Sequence, residues 1–301
     1  MHQLDQLKKM LFIVNPVSGK RAILKYLAEI MQMFFQRGYL VTSMVTARRG
    51  DATGYARDLG GEYDLIVCTG GDGTLNEVVT GLLKGGVSTP VGYIPCGSTN
   101  DFASCHGLSP DIIQAASDIL NGGVTRYDVG KFGDSYFNYI AAFGAFSWLS
   151  YTTPQNLKNV LGHSAYLLDA VKDLSKLKPQ HLRVSSGVNA YEGDFIFGAV
   201  CSTTSVAGIF DLPEDLVDTA DGLFEVLLIH SPPSIMEYQA IARALISKDF
   251  NSSPYVEFFQ TKSLCIESDG EQMDWALDGE HAVCGRLVQI ENLQQAMAIK
   301  H

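Results

Sequence analysis

The stretch Asp64–Leu83, DLIVCTGGDGTLNEVVTGLL, constrains the fold most strongly, because an apolar strand runs through a glycine turn straight into a helix. Leu65, Ile66, Val67 and Cys68 form an unbroken apolar run, as expected of a parallel strand covered on both faces. Leu75, Val78, Val79, Leu82 and Leu83 recur at i, i+3, i+4, i+7 and i+8, the stripe of an amphipathic helix. Between them lies Gly70-Gly71-Asp72-Gly73-Thr74. Glycines there permit positive φ and close approach of a ligand, and the N–H groups that open the helix, with its dipole, favour an anion. A carboxylate beside bound phosphates repels them unless a cation intervenes, so Asp72 points to Mg²⁺ arriving with a nucleotide. The same turn also serves as a plain βα connection without a ligand.

Two further segments repeat the pattern. Met10–Val14 is an apolar strand ending in Asn15-Pro16-Val17-Ser18-Gly19-Lys20, and Val91–Pro95 ends in Cys96-Gly97-Ser98-Thr99-Asn100-Asp101. Ligands of open α/β sheets collect at the carboxyl ends of the strands, where all three turns fall. Up to about residue 130 strands alternate with helices, among them a helix from Ala22 to Arg37 and a strand from Leu40 to Thr46, which predicts a parallel sheet. Beyond Arg126 the texture changes to strands joined by turns. These are Phe132–Ile140, Leu182–Ala190 with a turn at Tyr191–Asp194, Phe195–Ser202, Leu223–Ile229 and Val256–Ile266, with helices at Ser164–Lys176 and Ser234–Ser247. Such a run predicts an antiparallel sandwich. The expected domains are 1–130 and 131–294.

With 301 residues, 46% of them hydrophobic, the chain can fill two cores. The apolar run near the N-terminus is too short for a signal sequence, and nothing approaches the ~18 consecutive apolar residues of a membrane span, so a cytoplasmic protein is expected. Six cysteines are scattered without C-x-x-C pairs, which favours reduced thiols over zinc or disulfides. A net charge of −11 argues against nucleic acid as a partner and against a polybasic membrane anchor.

In order and spacing, NPVSGK (Asn15–Lys20), GGDGTLNEV (Gly70–Val78) and P-x-G-S-T-N-D-F (Pro95–Phe102) resemble the diacylglycerol kinase catalytic family, in particular its soluble bacterial lipid kinases. Thr46 followed by Gly50-Asp51-Ala52, Asp128 in YDVG, Asp221-Gly222 in DTADGLFEV, and Leu277-Asp278-Gly279-Glu280 extend the match over nearly the whole chain. A GGDG turn alone is shared with NAD kinases and phosphofructokinases; its combination with G-S-T-N-D-F and a late D-G-E is specific. The resemblance implies an α/β nucleotide domain of the NAD kinase and diacylglycerol kinase type, then a mainly antiparallel β-sandwich, with residues 295–301 returning to the first domain. It further implies a homodimer that uses ATP and Mg²⁺. Such an enzyme transfers the γ-phosphate to the primary hydroxyl of diacylglycerol or a related lipid at the inner face of the membrane, giving phosphatidic acid or an analogue.

Phosphoryl transfer needs positioned phosphates, a cation and a base for the incoming hydroxyl. The resemblance assigns nucleotide contacts to Asn15, Pro16, Ser18, Gly19, Lys20 and Thr46, to Gly70, Gly71, Asp72, Gly73, Thr74, Leu75 and Asn76, and to Gly97, Ser98, Asn100 and Asp101. Ser98 stands where the family has threonine, with the hydroxyl retained. Glu280 is the expected general base: it leaves a strand at a glycine turn, and a carboxylate there can take an alcohol's proton. A second carboxylate nearby improves such a base. The resemblance nominates Asp128 for that part, with Asp278 in support and Asp72 holding the nucleotide's Mg²⁺. Asp218, Asp221 and the carbonyl of Leu223 match a separate structural Mg²⁺ site. Read as residues alone, the Asn-Pro and Asn-Asp pairs make Asx-turns, D-G-E makes a solvated hairpin tip, and Asp221-Gly222 a simple turn.

The chain also departs from the family's pattern. Val206-Ala207-Gly208-Ile209-Phe210 stands where a glycine cluster is usual, and Thr80 replaces a frequent asparagine. Val206, Ile209, Phe210, Phe143, Phe146 and Trp148 are either core or the lining of an acyl groove. The alternatives to a diacylglycerol kinase are a kinase of NAD, sphingoid base or ceramide type, and a nucleotide-binding regulator without turnover.

Overall fold

The computed structural model describes residues 7–144, 178–206, 210–213 and 216–301. The expected helix at 164–176, with Phe146, Trp148 and Ile209, lies outside the described residues. The chain divides into two compact units, Met1–Asp128 with Gln295–His301, and Val129–Gln294.

The first unit is an α/β layer. Its elements are β1 (Lys8–Val14), α1 (Leu27–Gln36), β2 (Tyr39–Val45), α2 (Asp51–Leu59), β3 (Leu65–Gly70), α3 (Asp72–Gly85), β4 (Val91–Pro95), α4 (Asp101–Cys105) and α5 (Ile112–Asn121). The pairs β1–β2, β1–β3 and β3–β4 are all parallel, with Phe12 opposite Val67 and Cys68 opposite Tyr93. Ile299 pairs in parallel with Val91, so the last residues of the chain add to the same sheet. Every residue of β3 and β4 is buried, which accounts for their unbroken apolar runs. Met10, Phe12 and Val14 pack with Ile30 and Phe34 of α1 and with Ala115 and Ile119 of α5. Leu75, Val78, Val79 and Leu82 of α3 are buried as their spacing predicts. A Cβ on Gly81 would stand 2.4 Å from the Thr53 carbonyl oxygen, so α3 and α2 meet backbone to backbone.

The helix expected from Ala22 to Arg37 is instead a 3-10 stretch, Ser18–Lys25, followed by α1. The Tyr26 N–H bonds the Ile23 carbonyl, three residues back, and the α-helical ladder starts only with Ile30 on Tyr26.

The second unit is built mainly of antiparallel strands: the end of β5 (Val124–Phe132), β6 (Ser135–Phe137), β7 (Ile140–Gly144), β8 (Gln180–Ser186), β9 (Asn189–Cys201), β10 (Ser205–Val206), β11 (Phe210–Asp211), β12 (Phe224–His230), β13 (Val256–Thr261), β14 (Ser263–Leu277) and the first part of β15 (Glu280–Lys300). Among the described residues one α-helix, α6 (Ile235–Ser247), interrupts them. Both β7 and β8 pair with β9 and with β14, at different ends of those long strands, so the four strands close a circuit. Phe143, Leu182, Val184, Phe195, Ile266 and Trp275 belong to one buried cluster, so Phe143 is core.

Two turns fall elsewhere than expected. The strand read over Phe132–Ile140 is cut at Gly133, which takes φ +56°. The turn read at Tyr191–Asp194 lies at Gly187, with φ +54°, while Tyr191, Glu192 and Asp194 pair along β8 with Val184, Arg183 and His181. The sequence reading carries a strand through each of these glycines, whose left-handed backbone instead makes the bend.

Candidate active site

The three glycine turns of the first unit knit into one another. Asn15 donates from Nδ2 to Thr74 Oγ1 at 3.0 Å, while its Oδ1 accepts the Val17 N–H at 3.2 Å. A Cβ on Gly19 would lie 1.8 Å from the Cys96 carbonyl oxygen, and one on Gly97 would lie 2.6 Å from the Gly71 Cα. Gly70 is as tight, 2.2 Å from Thr74 Oγ1. Gly71 has φ −91° and lies at the cap of α3. Gly70, Gly71 and Gly73 are therefore not there for positive φ, which corrects the sequence expectation: Gly70 leaves room for Thr74 of its own turn, and Gly71 for Gly97 of the neighbouring one.

Asp72 is 8% exposed, and its carboxylate is already engaged. Oδ2 accepts the Asp101 N–H at 2.9 Å and Oδ1 the Phe102 N–H at 3.1 Å, with the Thr99 hydroxyl at 3.5 Å. Asp72 thus ties the start of α3 to the start of α4. Burial pushes its carboxyl above the usual carboxylate range, against the opposing pull of those N–H donors. Asn100, at φ +54°, closes its own turn by accepting the Gly97 N–H at 2.7 Å. Tyr93 donates to the Gly70 carbonyl at 3.3 Å from below. Nothing in the sequence separates Tyr93 from an ordinary core aromatic, and it was not anticipated. Its ring also lines a cavity of about 260 Å³ with Leu108, Ala115, Ile119 and His301, which none of the glycine turns enters.

Ser98 is exposed, whereas Pro16, Ser18, Asn76 and Asp101 are half-buried around the turns. Leu75 is buried and serves the core. Thr46 follows β2 and bonds the Val14 carbonyl through its N–H at 2.9 Å, which brings it beside the first turn. Lys20 lies in the 3-10 stretch. Asp128, 1% exposed, accepts the Gln295 N–H at 2.7 Å and so fastens the returning end of the chain.

In the second unit the D-G-E turn is not a solvated tip throughout. Asp278 is 6% exposed and sits at φ +50°. Its carboxylate accepts the N–H groups of Asn138 at 2.6 Å, Tyr139 at 3.0 Å and Ile140 at 3.2 Å. Its own N–H donates to the Ile140 carbonyl at 2.9 Å. The acid locks the β14–β15 hairpin to the bend before β7, and Glu280, two residues on, is exposed. Asp278 is thus a positioning group.

Asp218 and Asp221 are exposed, and each accepts a nearby N–H, from Ala220 at 3.0 Å and from Leu223 at 2.8 Å. The Leu223 carbonyl accepts from Asn292 at 3.0 Å. These are Asx-turns shaping the loop before β12. Among the described residues no group of three or more His, Cys, Asp or Glu side chains could hold a metal ion.

The geometry is thus a glycine-lined, N–H-rich cradle in one unit and a carboxylate-locked turn presenting Glu280 in the other. The sequence profile of the diacylglycerol kinase catalytic domain matches residues 9–132. A diacylglycerol kinase of Bacillus subtilis (strain 168) is 32% identical over 277 residues, 91% of this chain and 90% of its own. One from Staphylococcus epidermidis (strain ATCC 12228) is 33% identical over 295 residues, 97% of this chain and 92% of its own. A crystal structure of a diacylglycerol kinase from Bacillus anthracis str. Sterne aligns with a TM-score of 0.75 at 23% identity, over 98% of this chain and 97% of that one, which shows a common fold.

Proposed function

The chain belongs to the diacylglycerol kinase family, and on that premise we propose that it transfers the γ-phosphate of ATP to the primary hydroxyl of diacylglycerol or a close analogue. The observation that carries this reading is the knitting of three glycine turns around the start of α3. Gly70 and Gly97 leave no room for a side chain, and the N–H groups of Asp72 and Gly73, ahead of the first bonds of the helix from Thr74 and Leu75 to the Gly71 carbonyl, stand where helix and dipole favour a phosphate. Asn15, Ser18 and Gly19 meet the nucleotide on one side, and Ser98, Asn100 and Asp101 close the rim.

Mg²⁺ supplies charge neutralisation when bound. Both oxygens of Asp72 take N–H bonds and no three-carboxylate cage exists among the described residues, so the donor set fits an ion brought by the nucleotide's phosphates and water. Glu280 accepts the proton of the acceptor hydroxyl as its oxygen attacks the γ-phosphorus, and ADP leaves with the electrons of the broken bond. On the same reading a homodimer meets the lipid at the membrane surface; among the described residues no helix is long and apolar enough to cross a membrane.

The test is incubation with labelled ATP and Mg²⁺ against diacylglycerol, monoacylglycerol, ceramide, sphingoid bases and NAD, with products separated by chromatography. Label in phosphatidic acid is expected. Label only in a phosphorylated sphingolipid or in NADP, or in no product at all, contradicts the proposal.

A further inference from the structure

Around the Asp278 turn several buried polar atoms have no partner. Asn138 is 2% exposed, and neither its Nδ2 nor its Oδ1 has a hydrogen-bond partner among the described residues. Ser202, also 2% exposed, has an unpartnered hydroxyl, and its N–H bonds the carbonyl of Tyr139, the residue after Asn138. Gln180 Oε1 and Ser186 Oγ, at the two ends of β8, are likewise without a partner. A buried amide left unbonded costs about 1–3 kcal/mol, so a cluster of orphaned atoms calls for a cause.

Asp278 supplies it. Its carboxylate captures the N–H groups of Asn138, Tyr139 and Ile140 and fixes the backbone there, whatever the side chain of Asn138 gains or loses. Bond lengths limit the Asn138 amide to within roughly 7 Å of that carboxylate, and Glu280 follows two residues later. An amide carries two donors and an acceptor, the complement of a glycerol ester, whose carbonyl lies close to the free hydroxyl.

Resting on the kinase reading above, we propose that Asn138 is the residue that seats the acceptor: Nδ2 donates to an ester carbonyl of the lipid, beside the hydroxyl that Glu280 deprotonates. The desolvation is met in the free protein and repaid when the lipid arrives. A site built to bond a carbonyl rejects an analogue lacking it, because its own polar group then stays unpaired.

The experiment compares 1,2-dioleoylglycerol with the matching dialkyl ether, which keeps the hydroxyl and lacks both carbonyls, in mixed micelles, for the wild type and Asn138→Leu. The wild type should prefer the ester by about tenfold in kcat/KM, and Asn138→Leu should bring the two lipids to within about twofold, with KM for ATP unchanged. The melting temperature of Asn138→Leu should equal or exceed that of the wild type, since an isosteric apolar group removes an orphaned amide. An ester preference that survives Asn138→Leu, a wild type indifferent to the carbonyls, or a melting temperature lowered by several degrees overturns the assignment and leaves the kinase reading intact. A wild type that phosphorylates neither lipid overturns the kinase reading, and this assignment with it.

Discussion

Asp72 in the first unit and Asp278 in the second are both buried carboxylates that gather backbone N–H groups, yet their surroundings differ. Asp72 holds Asp101 and Phe102, and the neighbouring polar side chains have partners: Asn15 the Thr74 hydroxyl, Asn100 the Gly97 backbone. Asp278 holds Asn138, Tyr139 and Ile140, and the side chains of Asn138 and Ser202 are left without partners. The glycine turns of the first unit satisfy their own polar groups, whereas the Asp278 turn stands beside buried polar atoms without partners. A phosphate can be received by N–H groups and glycines that cost little to preform; a lipid head must bring half of its hydrogen bonds with it.

The strongest way to break this contrast is Glu280→Gln, which should lower kcat about a thousandfold with ATP affinity and melting temperature unchanged, because the side chain is exposed and its task is proton transfer. Next come the two aspartates. Asp278→Ala removes the acceptor of three buried N–H groups and should cost about 3–5 kcal/mol in chemical unfolding. Asp72→Ala removes the acceptor of two and should cost about 2–4 kcal/mol. The reverse ranking would undo the comparison.

Acid sharpens it further. His106 is stacked between Phe102 and Tyr127, 4.3 Å from each ring centroid, and burial, then the neighbouring His301, bring its pKa from 6.5 down to about 4. A folded pKa below the unfolded value means stability that is whole above pH 6.5 and lost as pH falls through about 4. The loss should be about 3 kcal/mol, confined to the first unit. Asp72 acts in the opposite sense, since its raised pKa favours the folded state as pH falls, and it offsets part of that loss. His106→Phe keeps the stack and should abolish the acid-sensitive part. The smallest effect expected is that of Gly97→Ala, whose Cβ would stand 2.6 Å from the Gly71 Cα. It should cost about 1–3 kcal/mol and weaken nucleotide binding.

Much of the first unit was legible in the sequence, because fully buried strands and a helix stripe leave unmistakable apolar patterns, and because glycine turns are short and local. The roles of the acids were less so. A sequence shows Asp72 and Asp278 as carboxylates but not which N–H groups approach them from 30 or 140 residues away. Strand boundaries failed where several turn-forming residues competed, at Gly133 and Gly187. Asn138 carried no signal: an asparagine before an apolar strand is ordinary, and its interest lies in what does not touch it.

The division of labour is tested most directly by calorimetric titration of Mg·ATP into Asp72→Asn and Asp278→Asn, with lipid phosphorylation measured on the same samples. Asp278→Asn should bind nucleotide within about twofold of the wild type while its lipid product falls at least about a hundredfold, and Asp72→Asn should bind nucleotide at least about tenfold more weakly. Equal weakening of nucleotide binding by the two substitutions would contradict the account.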